Sequence, residues 1–340
     1  AGTGSSKTIL AEGNVSNGIR REQVTLTSAS GASFVYGVQV GRGGLDMQNS
    51  TQIIGSVYSH GDIIGNNTPT ITGDAFVATT HIIDNMTIGG HGQAYLITDS
   101  TIGKNASSTT NASNTTVGWN TYANTITGST VGNDAYYQAS ISGSTVGGLT
   151  YPNTPSPSQL QEIPFSITDA MLDAWENDAA AGGVISGPCP YKFSNGQSIG
   201  PKKINCDVEI EGSDVVTVMG TLWIAGNFTM ENTAQLTLAS SFGGESGIII
   251  ADNQSNRAES GKISIENSAA INGSGTEGSY ILVVSRNNAS ESGGVTDAIT
   301  IKNSSTAPIY FAPHGSISIE NTSALKEASA YKLKLKNSAT

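Results

Sequence analysis

Five times in the C-terminal half, two apolar residues flank a polar one and are followed, one residue later, by Asn and then Ser or Thr. The phrase reads Phe228-Thr-Met230-Glu-Asn232-Thr, Ile263-Ser-Ile265-Glu-Asn267-Ser, Ile299-Thr-Ile301-Lys-Asn303-Ser, Ile317-Ser-Ile319-Glu-Asn321-Thr and Leu333-Lys-Leu335-Lys-Asn337-Ser. Its Asn positions step by 35, 36, 18 and 16 residues, one or two turns of a coil of about 17 or 18 residues, and a period that short means a solenoid. The first half repeats a different phrase, Thr or Ser, a β-branched residue and Gly. It runs through Thr51-Gln-Ile53-Ile-Gly55, Thr70-Ile71-Thr-Gly73, Thr87-Ile88-Gly89, Thr101-Ile102-Gly103, Thr116-Val117-Gly118, Thr130-Val131-Gly132 and Thr145-Val146-Gly147. These glycines lie 18, 16, 14, 15, 14 and 15 residues apart, so the coil is expected to tighten after its first turns. Gly44-Leu45-Asp-Met47-Gln-Asn49-Ser carries the Asn phrase into this half.

Apolar and polar residues alternate within each phrase, the pattern of a strand with one buried face. A coil of parallel strands buries only its inner face, so the alternation survives where most parallel sheets lose it. Asn and Gly tolerate the left-handed backbone a sharp corner needs, and amides repeated at one corner can hydrogen-bond along the axis. The sequence thus predicts an all-β parallel β-helix with Asn232, Asn267, Asn303, Asn321 and Asn337 on one ladder. Charged residues make up 13% of the chain and aromatics 6%, below the roughly 25% charged content of an average domain.

One amphipathic helix is expected, near 166–181. Ser166-Ile-Thr-Asp169 resembles a capping box, Met171, Leu172 and Trp175 share a face, and Gly182-Gly183 stops the run. The preceding Tyr151-Pro-Asn-Thr-Pro-Ser-Pro-Ser cannot continue a strand ladder. The organisation read from these signals is an N-terminal extension over 1–30, a first solenoid section over 31–151, a Pro-rich linker plus helix over 152–195, and a second section over 196–340. The helix is expected to lie on the side of one continuous body and to separate its two runs of coils.

Cys189 and Cys206 are seventeen residues apart, close to one coil length. Equivalent positions on adjacent coils lie about 4.8 Å apart, within disulfide range, and a disulfide would point to an oxidising compartment. No apolar run reaches the length of a membrane span. No signal peptide is visible, and Ala1-Gly-Thr-Gly-Ser-Ser reads as a trimmed end. A net charge of −11 argues against nucleic acid as partner.

His60, His81, His91 and His314 are scattered without metal-ligand spacing. Gly90-His91-Gly92 matches a motif of β-helical polysaccharide hydrolases, but the Asp-Asp pair and the Arg-x-Lys those enzymes need do not occur. His91 therefore reads as a residue at a Gly-rich corner, and no catalytic residue is assigned. Single Asp residues such as Asp62, Asp74, Asp99 and Asp134 read as turn formers; Ca²⁺ is only a weak alternative and no cofactor is expected.

Tyr36-Gly-Val-Gln-Val-Gly-Arg-Gly-Gly-Leu-Asp-Met, Gly55-Ser-Val-Tyr-Ser-His-Gly-Asp-Ile-Ile-Gly, Asp173-Ala-Trp-Glu-Asn-Asp-Ala-Ala-Ala-Gly-Gly, Gly220-Thr-Leu-Trp-Ile-Ala-Gly-Asn and Ala330-Tyr-Lys-Leu-Lys-Leu-Lys-Asn together resemble the repetitive surface proteins of candidate-phyla (Patescibacteria) bacteria, of the prepilin or pilus-associated type. That resemblance implies an extracellular, cell-surface location, pilus or other surface components as partners, and a membrane-anchoring segment ahead of the repeats. Ile53-Ile-Gly55-Ser-Val57 and Ile71-Thr-Gly73-Asp-Ala75 are similar to bactofilin-type parallel β-helices, which implies a right-handed coil. The expectation is a non-enzymatic structural and adhesive protein that contacts glycans or a host cell surface, with Tyr122, Tyr136 and Tyr137 as stacking platforms. Two alternatives are a self-assembling filament subunit and a β-helical polysaccharide-cleaving enzyme.

Overall fold

The structure is a computed structural model that describes residues 6–15, 18–27 and 36–340. The chain divides into two units, 1–35 and 36–340. In the first, Ser6–Val15 and Gly18–Thr27 pair antiparallel from Ser6 opposite Thr27 to Val15 opposite Gly18. Residues 28–35, where the expected extension meets the expected first section, lie outside the described residues.

The second unit is a parallel β-solenoid of about 16 turns with a single α-helix. Each full coil has three sides. In the coil that starts the unit these are the two ends of the strand Val38–Gln48, which carries an irregular step after Val40, and the short strand Gln52–Ile53. Every second residue points inward, so Val38, Val40, Leu45, Met47 and Ile53 are buried. Apolar side chains from most coils form one column down the axis, and Ala112, Ala123, Ile126 and Ala135 form a smaller cluster toward the end of the first section.

Coil order along that column departs from chain order. The strand Val38–Gln48 pairs on one edge with the following strands Val57–Ser59 and Ile63–Asn66, and on the other with Ala324–Lys336, almost at the end of the chain. The last coil of the second section therefore stacks directly on the first coil of the first section. From this junction the first section winds outward to Thr150–Pro152, and the second occupies the stack on the other side, out to Val184–Ile185. The helix lies on the flank, as expected, but does not separate the two runs. The second section also starts at Val184 rather than 196, because Val184 pairs with Lys203 as soon as Gly182 and Gly183 end the helix.

Coils of the first section shorten because one corner is lost. Ser59-His-Gly-Asp62 turns the chain between Val57 and Ile63, whereas Gly92–Thr98 is one strand with a shift between Ala94 and Leu96. A smaller circumference leaves less room inside, and Ala106, Ala112, Ala123 and Ala135 take inward positions beside Val117, Ile126 and Val131.

The corner that the Asn phrase builds is left-handed in most coils. Asn49, Asn67, Asn267, Asn303, Asn321 and Asn337 have φ of 54–58°, and each is followed by a Ser or Thr that is also left-handed. Their amides form a ladder. Asn337 donates Nδ2 to Asn321 Oδ1 (3.0 Å), Asn321 to Asn303 (2.9 Å) and Asn303 to Asn267 (2.7 Å). Across the junction, Asn49 donates to Asn337 (3.0 Å) and Asn67 to Asn49 (2.9 Å). Asn232 sits at the equivalent corner (φ 64°) without an amide bond to Asn267. Its turn is built differently: Thr233 is not left-handed and donates its N–H to Gly212 O (2.9 Å).

Cys189 and Cys206 form a disulfide between adjacent coils, Cα atoms 5.8 Å apart. After Thr150–Pro152 the chain runs back along the flank as an extended strap. Ser156 Oγ donates to Gln138 Oε1, Gln93 Nε2 to Ser158 O, Tyr58 Oη to Gln161 O and Gln39 Nε2 to Ile163 O (2.7 Å). The helix is Asp169–Ala181, with Thr168 as N-cap accepting from Met171 N–H (3.3 Å). The cap falls two residues later than Ser166: Thr168 is the extended residue that precedes the first helical turn, and Ile167 before it is buried in a bend. Beneath strap and helix the solenoid's outward row is itself buried: Trp223, Ile250, Val284, Phe311 and Gln39.

Replacing Asn321 separates the ladder from the backbone. Asn321→Gly should cost about 2 kcal/mol, the worth of two net hydrogen bonds, one donated to Asn303 and one accepted from Asn337. Asn321→Ala should cost about 1 kcal/mol more, since Ala resists a left-handed φ that Gly accepts. Denaturant midpoints at unchanged m-value measure both; equal losses would mean the corner's handedness contributes nothing.

Candidate functional site

Parallel stacking turns a residue type repeated at one coil position into a straight column on the surface. In the first section one outward column reads Tyr122, Tyr136, Tyr151, in register through the strands Thr121–Thr127, Ala135–Ser142 and Thr150–Pro152. The rings stack on one another, with centroids 4.6 Å apart in both pairs and planes within 10°. Stacking consumes the ring faces, so between Tyr122 and Tyr136 no face is left for a ligand. Tyr151 ends the column and is 38% exposed. Tyr137 follows the strand alternation to the other side and packs against Ala112, Ala123, Ile126 and Ala135, so it does not share the platform with Tyr122 and Tyr136.

Trp119 is the aromatic that the sequence reading missed. It sits at the corner preceding Tyr122 and is 52% exposed. Its N–H donates to Lys104 O (3.1 Å), and its carbonyl accepts from Asn133 N–H (3.1 Å). Lys104 Nζ lies 5.9 Å from the ring centroid, and His91 meets the ring edge-on at 6.0 Å. The neighbouring column supplies polar groups: Asn120 Nδ2 donates to Tyr122 Oη (3.3 Å), and Asn133 Nδ2 to Asn120 Oδ1 (2.8 Å). A flat ring bordered by amides, a phenol hydroxyl and an ammonium is the kind of surface on which a sugar ring can stack while its hydroxyls are hydrogen-bonded. Only a lone Trp at the position just after the Thr-x-Gly phrase, where other coils carry Gly90, Lys104, Asn133 or Gly148, marked it in the sequence.

The His91 corner is a turn. Asp74 Oδ1 accepts from His91 N–H (2.7 Å), and His91 Nδ1 accepts from Asn105 N–H (3.3 Å). Asp62 accepts from Ile82 N–H (3.0 Å), Asp134 from Leu149 N–H (2.8 Å), and Asp99 from Asn114 Nδ2 (3.1 Å). Among the described residues no group of three or more His, Cys, Asp or Glu side chains is placed to hold a metal ion.

A second concave region, about 390 Å³, lies between the strap and the flank and is lined by Arg42, His60, Phe165, Asp169, Glu291 and His314 among others. Its charges are paired. Arg42 binds Glu162 (2.9 Å), which raises the guanidinium pKa and holds the carboxyl below its ordinary value. His314 donates or accepts at Nδ1 with Glu291 (2.6 Å) and at Nε2 with Asp169 (3.2 Å). The imidazole fills the space between these two carboxylates, so they cannot flank a glycosidic bond as an acid–base pair must. His60 accepts from Ile163 N–H (3.1 Å), and burial lowers its pKa.

Under the helix, Arg286 is 4% exposed and meets Asp173 (2.5 Å), Glu176 (3.2 Å), Asp169 (3.3 Å) and Asp252 (3.7 Å). Arg257 binds Asp252 through Nε (2.8 Å) and Nη2 (2.7 Å), and Gln254 donates to Glu176 (2.8 Å). Burial, then the Asp252 charge, push Glu176 up to about 7 against the pull of Arg286. No helix of the described residues is long and apolar enough to cross a membrane. The chain matches no protein-family model, no curated protein and no solved structure.

The raised Glu176 pKa sets the sign of a pH dependence. Between its ordinary 4.5 and about 7, the folded protein holds a proton that the unfolded chain has lost, so this group's contribution to stability falls as pH rises through that window and is flat above it. Glu176→Gln should therefore gain in thermal midpoint relative to wild type from pH 4.5 to 7 and hold a constant offset beyond. An offset constant across the whole range would show that Glu176 does not titrate there.

Proposed function

We propose that this chain is a non-enzymatic extracellular structural protein, a rigid spacer at the cell surface that contacts carbohydrate through the Trp119 surface. The observation that carries the reading is an exposed tryptophan beside a tyrosine column, on a stack of coils whose backbone is paired without interruption along one side from Val184–Ile185 to Thr150–Pro152. A parallel column of this kind has no hinge between its coils, so a contact near one end is held at a fixed distance from the other. The disulfide is consistent with a secreted protein, and the likeness to candidate-phyla surface proteins supports a pilus or another surface component as the neighbour.

The test is a glycan array with the purified chain, with hydrolysis products followed in the same wells. Specific binding without turnover is expected, and Trp119→Ala should weaken it at least tenfold, about 1.4 kcal/mol, within the range of lost aromatic stacking. Turnover, or binding indifferent to Trp119, would remove the reading.

A second reading, a filament subunit, draws on the end of the first section. Leu149 is 64% exposed there, Val146 and Ile141 are only partly covered, and the strands Thr145–Val146 and Thr150–Pro152 each have one unpaired edge, a template for another chain. Light scattering that grows with concentration and is abolished by Leu149→Lys would favour it; a monodisperse monomer at every concentration would count against it.

A further inference from the structure

The strap meets the solenoid mainly through its carbonyls. Leu160 O accepts from Thr79 N–H (2.9 Å), Gln161 O from Tyr58 Oη, and Ile163 O from Gln39 Nε2 (2.7 Å). Ile163 N–H runs the other way and donates to Nε2 of His60 (3.1 Å). That imidazole belongs to a residue only 7% exposed. It meets Tyr58 edge-on at 5.9 Å and stacks on Phe165 of the strap at 6.3 Å, and Phe165 in turn meets Phe311 edge-on at 5.6 Å. An amide nitrogen can only donate, so Nε2 must offer a lone pair to it. The closed strap therefore requires a neutral imidazole whose proton sits on Nδ1.

Protonation of Nε2 sets two N–H donors against each other and puts a charge on a ring almost out of water, both unfavourable for the closed form. A proton can reach the ring, since His60 lines the cavity of about 390 Å³ beside the strap. The charges around it leave His60 to decide. Burial lowers its pKa below the ordinary 6.5; the Glu162 charge opposes that shift and the Arg42 charge adds to it. Arg42 holds the Glu162 carboxyl below its own ordinary value, so that ion pair persists as pH falls through the histidine range. Burial raises the pKa of Tyr58, which stays a neutral phenol. Tyr331 also lines the cavity, as do Asp169, Glu291 and His314, which are bonded to one another. The closed strap thus excludes a proton that the open one takes up near pH 6.5, so closure is at full strength above 6.5 and weakens as pH falls below it. Glu176 acts in the opposite sense, because it holds a proton up to about pH 7 while the helix is docked, and acid favours that docking.

We infer that the strap is an acid-released cover: protonation of His60 at Nε2 detaches the segment around Ile163 and uncovers the outward row of Tyr58, Gln39, Ser329 and Phe311, while the helix that follows stays docked. These four residues stand in register on consecutive coils, and all are buried at neutral pH although they point away from the core. Ser329 Oγ has no partner there among the described residues, and opening gives it water. The strap can lift without the helix because the two are held by different groups, Ile163 by an imidazole and the helix by the carboxylates on Arg286. This inference does not rest on the glycan-contact reading.

The experiment measures backbone-amide hydrogen exchange on the whole chain at about pH 7.5 and about pH 5, expressed as protection factors so that the intrinsic pH dependence of exchange is removed. Protection of the Ile163 amide should fall at least about tenfold at the lower pH, whereas that of Ala179 in the helix should hold. His60→Gln supplies an amide oxygen that can accept from Ile163 N–H and takes up no proton, so this variant should keep Ile163 protected at both pH values. If it does not fold, the titration of the His60 ring in the wild type, followed by NMR, decides: its midpoint should coincide with that of the loss of Ile163 protection. Ile163 protection unchanged at the lower pH, an equal loss at Ala179, a His60→Gln variant as acid-sensitive as the wild type, or midpoints that differ would each overturn the proposal.

Discussion

Two pieces of chain nearly three hundred residues apart meet at the strand pair Val38–Gln48 and Ala324–Lys336, and the rest of the molecule depends on that non-covalent ladder. Without it the first section would begin, and the second would end, on an uncovered inner row: Val38, Val40, Leu45 and Met47 on one side, Ala328, Ala330, Leu333 and Leu335 on the other. Each is buried to within a few per cent, and leaving a single Val or Leu side chain in water costs about 1.5–3 kcal/mol. The junction removes two open ends at once. It also sets the task of the strap. From the coil of Tyr151 to the coil of Gln39 the stack rises by seven rungs, about 34 Å at 4.8 Å each. Asn153 to Ile163 must cover that distance, and eleven residues in polyproline-like extension reach about 34 Å. Pro155 and Pro157 favour that extension, since a proline has no N–H to give to a ladder.

Corner chemistry and core volume then settle the size of each coil together. A left-handed Asn followed by a left-handed Ser or Thr is an unfavourable backbone for the second residue, and it persists because the amide ladder and the backbone bonds on either side over-determine it. Asn49 N–H donates to Asn66 O (3.0 Å) and Ser50 N–H to Asn67 O (3.0 Å), so both residues of the corner are paired to the coil above. Where coils shorten, the same corner is held by Asp99, then Asn114, then Gly128 and Gly143. The ladder fades toward the end of the first section as alanines take a growing share of the core. That end therefore has the least buried apolar surface per coil and is the place where Leu149 and Trp119 remain in solvent.

Much of this was legible in the sequence because a solenoid writes its geometry as a period. The Asn and Thr-x-Gly phrases gave the strands, their inward residues, the tightening of the coil and the spacing of Cys189 and Cys206, since each of these depends on residues one coil apart. Whatever depends on distant segments was not legible. Nothing local to Val38 or Leu333 says that they are neighbours, so the order of the two sections was hidden although both carry the Asn phrase. Tyr122 and Tyr136 were visible as exposed aromatics, but their mutual stacking depends on strand register, and the alternation that turns Tyr137 toward the Ala112 cluster depends on where the strand starts. Asn232 shares the phrase and the corner yet not the ladder, because Thr233 beside it belongs to a different turn.

The acidic face of the helix shows the same limit and also what the helix contributes. Asp169, Asp173 and Glu176 are spaced as i, i+4 and i+7, one face of a helix, and nothing local to them names a partner. The structure points them at Arg286, more than a hundred residues away. Apolar burial of Leu172 and Ala179 would hold the helix on the flank in many rotations, since hydrophobic contact is not directional. A guanidinium met by three carboxylates from successive turns can be satisfied at one rotation and one height. Burying those charges has a desolvation cost that their attraction only partly returns, and Glu176 shows it by holding a proton up to about pH 7. What the arrangement supplies is position: it sets where Gly182 and Gly183 release the chain, and hence where Val184 meets Lys203 to begin the second section.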